Sequence, residues 1–316
     1  EKRKAFLFEN VSDSRGRKFG IPVTTCVLGG SADIYALGMM CKRSEIHEKW
    51  LNAQVNPIEP VLVAEGPVQE EVHMGATLLE HGGLDEFPIP ISTPGFDVSP
   101  YITSPYWVTK DPDNKIRNVG TYRAQVKSPT RTGIFPSSPR QGLAVHWQKC
   151  QARGIPLEAA MIVGAAPNIG YVSVSKLPQD KDEFAIAGGI AGEPVKLVKC
   201  KTVDLEVPAY AEIVLEGEIS ITESEPEAPF GEATGYMGQQ EMMPYFTIKC
   251  ITHRKHPVWQ TFLSQYAPSE SSTIKSIAWE NNIYKHLYHD LKMSHVVAVA
   301  NHANFGSSRF LVIKMK

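Results

Sequence analysis

The chain has 316 residues, 42% of them hydrophobic and 21% charged, with a formal net charge of −2. That length exceeds one ordinary core and implies two or more domains, and the near-neutral balance gives no electrostatic reason to expect nucleic acid or an anionic membrane as a partner. The longest apolar runs, such as residues 296–300, fall far short of the roughly 18 residues that a membrane span requires, so no span is expected.

In chain order, residues 5–8 read as a strand, reached directly from the charged start Glu1-Lys2-Arg3-Lys4 without a secretory cleavage pattern, so a cytoplasmic location is expected. A second strand is expected at 21–28, followed by Gly29-Gly30-Ser31 and a helix from Ala32 to about Leu51 with Ile34, Leu37, Met40, Ile46 and Trp50 at helical intervals. Strand, Gly-Gly-Ser and helix resemble a phosphate loop but lack the glycine spacing of the dinucleotide and P-loop motifs. From Glu65 to about His253 the chain changes to short β-rich runs broken by Pro and Gly, at 87–91, 101–103, 159–163, 195–200, 211–215 and 245–251. Many short strands with turn signals imply a barrel or sandwich. One helix interrupts it at 141–153, with Gly154 as its C-cap.

The last segment opens a helix near Ser271, with Ile283, Leu287 and Leu291 four residues apart on one apolar face, and returns as strands at 296–300 and 309–314. Residues 310–314 read as a buried strand, which implies that the last domain is incomplete. Cys26, Cys41, Cys150, Cys200 and Cys250 are widely spaced without a C-x-x-C pair and are expected as reduced, buried thiols. His286 and His289 read as a solvated helix face, and His253 and His256 as loop residues flanking Arg254 and Lys255. The aromatic run from Tyr101 to Trp107 suits sheet packing or a wall for a flat ligand.

Chemistry concentrates in Glu227-Ala228-Pro229-Phe230-Gly231-Glu232, downstream of Arg123 in Asn118-Val119-Gly120-Thr121-Tyr122-Arg123. Pro and Gly between the acids make a stiff turn that aims both carboxylates at one point. Arg123 would hold one acid by charge pairing, leaving the other, desolvated, to donate a proton. An acidic surface turn fits the same spacing.

Taken with 204–209, 211–217 and Gly235-Tyr236, these motifs resemble, in order, the UbiD family of reversible (de)carboxylases, from about Glu65 to Arg254. The family includes the ferulic acid and polyprenyl-hydroxybenzoate decarboxylases. The resemblance implies an α+β fold: an N-terminal α/β segment (1–64), a central split β-barrel related to flavin reductases (65–255), and the start of a C-terminal α/β oligomerisation domain (256–316) that continues further in relatives. It implies a carboxy-lyase acting on an aromatic or α,β-unsaturated acid and releasing or fixing CO2. The cofactor would be prenylated FMN, held with Mn2+ or Mg2+ and with K+ nearby, and supplied by a flavin prenyltransferase; a homodimer or higher homo-oligomer is implied as well. By the same resemblance Glu232 is the proton donor, and Arg123 and Glu227 orient the substrate.

Metal ligands carried over are Asn118, Glu183 and, where the family has histidine, Gln141; an amide oxygen remains an acceptable ligand for a hard ion. His146, five residues on, lies off the face of Gln141 and reads as a packing or substrate-side histidine. Thr121, Tyr122, Arg123, Arg140, Ser173 and Ser175 are expected along the cofactor, with the two serines in a loop or on alternating strand positions. Ala228 replaces the usual glycine after the first acid and fits only if its φ is negative. Two other classes share the sequence features, a flavin reductase-like protein and a non-catalytic assembly subunit of a larger carboxylase.

Overall fold

A computed structural model describes residues 4–301 and 310–316. Helices and strands are mixed, and the centre is a curled half-barrel sheet. Its strands among the described residues are β4 (Glu71–Met74), β5 (Tyr101–Ile102), β6 (Tyr106–Lys110), β7 (Arg117–Thr121), β8 (Ala124–Ser128), β9 (Arg131–Gly133), β10 (Leu157–Val163), β13 (Ile213–Glu227) and β14 (Glu241–His253). They run in the order β5-β8-β9-β14-β13-β10-β6-β7, with β4 added against β14. All the pairings are antiparallel. The β13–β14 ribbon is the longest element and bends at two register shifts, Glu216/Gly217 and Ile219/Ser224. At the first, a Cβ on Gly217 would lie 1.9 Å from the Thr247 carbonyl oxygen, so only glycine lets the strands cross there.

Two smaller sheets join distant parts of the chain. In one, β1 (Phe6–Phe8) pairs β2 (Val23–Thr25), which runs parallel to β15 (Trp259–Gln260). In the other, β3 (Val61–Leu62) and β12 (Glu206–Pro208) flank β11 (Lys196–Lys199). Helices α1 (Ala32–Gly38), α2 (Ile46–Val55), α3 (Gly142–Arg153), α4 (Pro167–Ser173), α5 (Glu183–Ala191) and α6 (Glu270–Tyr284) cover these sheets. Trp50, Tyr35, Tyr171 and Phe184 fill the core between α2, α4 and α5, and Trp107, Phe246 and Trp259 fill the core of the large sheet. A last hairpin, β16 (Val296–Asn301) with β17 (Leu311–Met315), closes the chain.

Several expectations need correction. The helix expected over 32–51 is two helices, because Met40 takes a left-handed φ of 53° and a short 3-10 turn follows. The strand expected over 21–28 stops at Thr25, where Cys26 turns to φ 62°. Residues 87–91 form no strand, since Pro88 and Pro90 remove alternate ladder donors. The final helix gives way to a π-helical turn at Lys285–Asp290, which shifts the register and leaves Leu291 exposed. Phe310 and β17 are exposed rather than buried, because the hairpin pairs only with itself; the expected start of that strand at Arg309 lies outside the described residues, as do the first three residues. No disulfide joins the five cysteines among the described residues, but only Cys150 and Cys250 are buried. His253 is the last residue of β14 and is buried.

The Gly-Gly-Ser loop is filled from within. Glu270, at the start of α6, accepts from the backbone N–H groups of Cys26 (2.6 Å), Leu28 (2.8 Å) and Gly29 (3.3 Å), so the donors that would cradle a phosphate already hold a carboxylate. Burial pushes the Glu270 carboxyl up, and those three N–H groups act in the opposite sense.

Candidate active site

Arg123 follows the end of β7, and the turn after β13 brings Glu227 and Glu232 to it. Its Nε and Nη2 donate to Glu227 Oε1 (3.0 Å) and Oε2 (2.7 Å), a bidentate pair, and its Nη1 donates to Glu232 Oε1. Burial opposes the guanidinium charge, but the two carboxylates outweigh it and raise the Arg123 pKa. Phe135 and Phe230 lie under the guanidinium at 4.0 and 4.9 Å, holding it in plane. The carboxylates differ in access: the Glu227 side chain is 0% exposed and that of Glu232 is 42% exposed. The acid expected to be desolvated is therefore the open one. The 231–238 turn that carries it is held by Glu232 N–H to Tyr236 O, Gly235 N–H to Glu232 O and Gly238 N–H to Phe230 O, and Ala233 O accepts from Ala267 N–H at 3.4 Å. Ala228, buried between them, has φ 85°, so the alanine is strained where glycine would not be.

A cavity of about 580 Å³ lies beside this trio. Its wall includes Asn118, Thr121, Tyr122, Arg140, Gln141, Ser173, Ser175 and Glu183, so the expected cofactor residues other than Arg123 converge on one space. Asn118 projects from β7, opposite the first turn of α3. Gly142 opens that helix, and a Cβ on it would fall 1.8 Å from Asn118 Oδ1; a glycine is what lets the amide stand at the helix start. Asn118 Nδ2 is buried without a hydrogen-bond partner. Gln141 is the residue before α3, its side chain loosely held by the Ser138 N–H (3.3 Å) and Ser137 Oγ (3.4 Å).

Glu183 is the first residue of α5, whose N-cap Asp182 accepts from Phe184 N–H. Its Oε2 accepts from the Val119 N–H at 2.9 Å, one residue from Asn118. Burial pushes its carboxyl up to about 8, against the partly offsetting backbone N–H groups. Ser173 corrects the loop or strand expectation, because it ends α4, donating to Gly170 O and sharing a hydrogen bond with Thr121; Ser175, two residues past the helix, lies in the loop and bonds back to Tyr171 O. Tyr122 is buried, and its hydroxyl is pushed up to about 12 by burial. Arg140 is exposed at the rim. His146 is buried with Nδ1 on Thr109 Oγ1 at 2.8 Å, and burial lowers it to about 4, so it is a neutral packing side chain at the cavity wall.

Sequence reasoning missed the charge of this space. Arg117, Arg140, Lys176, Lys181 and Lys275 line it against the single carboxylate of Glu183, a bias that suits an anionic ligand. Arg117 is spent on Asp182 and Glu206. Lys176 and Lys275 sit 4.6 and 5.1 Å from the Trp279 ring. Burial and the neighbouring Lys176 lower the Lys275 pKa while Glu232 raises it, so this lysine couples the cavity to the exposed acid. The signal was present in the four-residue spacing of Lys275 and Trp279, which puts both on one face of α6.

Comparison with known proteins gives one consistent picture. A family model described as "3-octaprenyl-4-hydroxybenzoate carboxy-lyase Rift-related domain" matches residues 61–266. The phenolic acid decarboxylase of Bacillus subtilis is 43% identical over 152 residues, 48% of this chain and 32% of its own length. An uncharacterized protein of Aquifex aeolicus is 34% identical over 297 residues, 87% of this chain and 58% of its own. The chain thus spans well under two thirds of these curated relatives. Among solved structures, an evolved dimeric form of the UbiD-class enzyme HmfF from Pelotomaculum thermopropionicum, in complex with prFMN, superposes with a TM-score of 0.87 at 33% identity, covering 98% of this chain and 69% of that one. Sedimentibacter hydroxybenzoicus vanillic acid decarboxylase in its closed form gives 0.85 at 26% identity, covering 99% and 65%.

Proposed function

The chain belongs to the UbiD family, and from that premise we propose that it carries the catalytic half-barrel of a non-oxidative, reversible decarboxylase of an aromatic or α,β-unsaturated acid. The observation that carries this reading is Arg123 bridging a buried and an open glutamate beside a cation-lined cavity. Prenylated FMN fits the cavity: the basic rim suits its phosphate, and Asn118, Gln141 and Glu183 form an all-oxygen donor set suited to Mn2+ or Mg2+. The buried Glu183 carboxyl, which accepts from backbone N–H groups but has no ion-pair partner among the described residues, supports a cation there. K+ near the phosphate, a flavin prenyltransferase as supplier, a homo-oligomer and the division at 64/65 and 255/256 belong to the same proposal.

When bound, the prenylated flavin supplies the electron sink that loss of CO2 requires. Within this chain, Arg140, Lys176 and Lys181, which line the cavity, would bind the phosphate. Arg123, fixed by Glu227 from one side and by Phe135 and Phe230 from the others, orients the substrate carboxylate. Glu232 holds a proton on its carboxyl and delivers it to the carbon that has lost CO2; its solvent access lets it recover a proton for the next turnover. In the carboxylation direction the same group removes that proton.

Co-expression with a flavin prenyltransferase tests the reading. Protein with altered flavin absorbance that releases CO2 from an aromatic or cinnamic-type acid is expected. Flavin-free protein inert to every acid offered would point to the assembly-subunit class, and nicotinamide oxidation on ordinary FMN to the reductase class.

A further inference from the structure

A second set of ligating side chains lies outside the cavity. His73 in β4, Glu86 at the end of the 3-10 turn Gly83–Glu86, and His253 at the end of β14 each offer a ligand atom, all within 4.8 Å of one another. The sheet register brings the histidines together. His73 pairs with Ile251, so His253, two residues on, projects from the same face as the diagonal neighbour. Their rings lie 5.4 Å apart at 20°. Gly82 and Gly83, at φ 88° and 60°, make the turn that sets the 3-10 segment, and Leu84 N–H ties it to Pro129 O at 2.8 Å.

One ring nitrogen of each histidine is left without a hydrogen bond in the protein. His73 is 8% exposed and His253 is 5% exposed, and His73 Nδ1 and His253 Nε2 are both buried with no hydrogen bond. His253 Nδ1 is 2.6 Å from Arg254 O. A carbonyl only accepts, so Nδ1 carries the hydrogen and Nε2 presents its lone pair. A backbone carbonyl on the far nitrogen is the usual support of a metal-bound imidazole. Phe87, 6.0 Å from the His253 ring and 5.5 Å from Trp259, keeps that side apolar.

We propose that His73 Nδ1, His253 Nε2 and the Glu86 carboxylate bind a Zn2+ ion. Two imidazoles and one carboxylate are a donor set for zinc, whereas the oxygen donors of the cavity suit harder ions. A tetrahedral site with bonds near 2.1 Å has ligand-to-ligand edges of about 3.4 Å. The half-buried Glu86 side chain rotates to close the difference. His81, with its ring 4.9 Å from that of His73, and Glu80 form a second, exposed group that shares only His73, so the fourth position of the proposed site is left to water. None of these residues lines the cofactor cavity. The ion would clip the β4 margin of the sheet to the 3-10 segment.

Calorimetric titration of the chelator-treated, tag-free chain with zinc chloride, and Co2+ absorption at the same site, test this. One tight equivalent is expected, with the visible bands of four-coordinate cobalt. It should survive Glu183→Gln and weaken at least tenfold in His253→Gln and His73→Gln. No zinc binding by the unmodified chain, or undiminished binding in both variants, overturns the proposal. Should the buried-histidine variants fail to fold, Glu86→Gln decides: weakened affinity and a smaller zinc-induced rise in Tm are expected, and unchanged values overturn it.

Discussion

Arg123 meets Glu227 through two hydrogen bonds of 3.0 and 2.7 Å, and Glu227 has no exposure to water. Removing the cation alone strands a buried carboxylate. Arg123→Met should therefore cost about 3–5 kcal/mol, while the double variant Arg123→Met/Glu227→Leu should recover most of that loss. Urea unfolding of both variants measures it; a single variant as stable as the parent would mean that the pair is not held as described.

Glu232 is the open partner, so its loss should spare the fold. Glu232→Gln is expected to lower turnover by roughly 10²–10⁴-fold. It should leave flavin absorbance and Tm within error of the parent. The companion measurement is deuterium exchange into the product in D2O, and exchange at the parental rate would sink the proton-donor assignment.

Glu183 gives a pH dependence with a definite sign. Its folded-state value of about 8 lies above its ordinary 4.5, so the folded, metal-free chain binds more protons than the unfolded chain between these values. Stability should fall as pH rises through that window, by up to roughly 5 kcal/mol, and level off above it. Glu183→Gln should flatten the slope. Stabilisation by Mn2+ should grow across the same window, because the ion requires the ionised group. Urea midpoints from pH 5 to 8.5 check both; parallel pH profiles for parent and variant would refute the account.

At the start of α3, two substitutions should act in opposite directions. Gly142→Ala drives a methyl into Asn118 Oδ1 and should reduce Mn2+ retention at least tenfold. Gln141→His exchanges an amide oxygen for an imidazole and should retain the ion more tightly. Metal content after dialysis reads both, and equal retention by parent and both variants would mean that the ion is held elsewhere.

Glu270 accepts three backbone N–H groups of the 26–29 loop. Glu270→Ala leaves those donors unpaired and should destabilise the chain by about 3 kcal/mol or more. Limited proteolysis should then cut the 26–40 region first. Unaltered cleavage kinetics would contradict the role given to this carboxylate.

What could be read from the sequence was local. Helix α3 and its Gly154 cap follow from periodicity and one glycine, and the structure gives Gly154 a left-handed φ of 67°. The motif order placed Asn118, Glu183, Arg123 and the two acids in one set, and the fold does bring them to one region. The reach of the β13–β14 ribbon was not legible, because its outer half carries polar residues such as Glu223 and Ser224 that look like loop. Lys176 and Lys275 were missed because the cavity's charge is assembled from α4's trailing loop and α6, about a hundred residues apart. Ala228's left-handed backbone depends on its surroundings, and neither residue type nor spacing reveals it.

The carboxylate that fills the Gly-Gly-Ser loop also sets an order of events. Its partners lie 241–244 residues away along the chain, and β2 runs beside β15 at a similar remove. Contacts of such separation form only after long loops close. On a ribosome, β2 can pair with β1 early, but the 26–29 loop has to wait for its carboxylate until α6 has been made. That loop is then among the last of the described parts to settle, and an interrupted chain would leave its backbone donors bare.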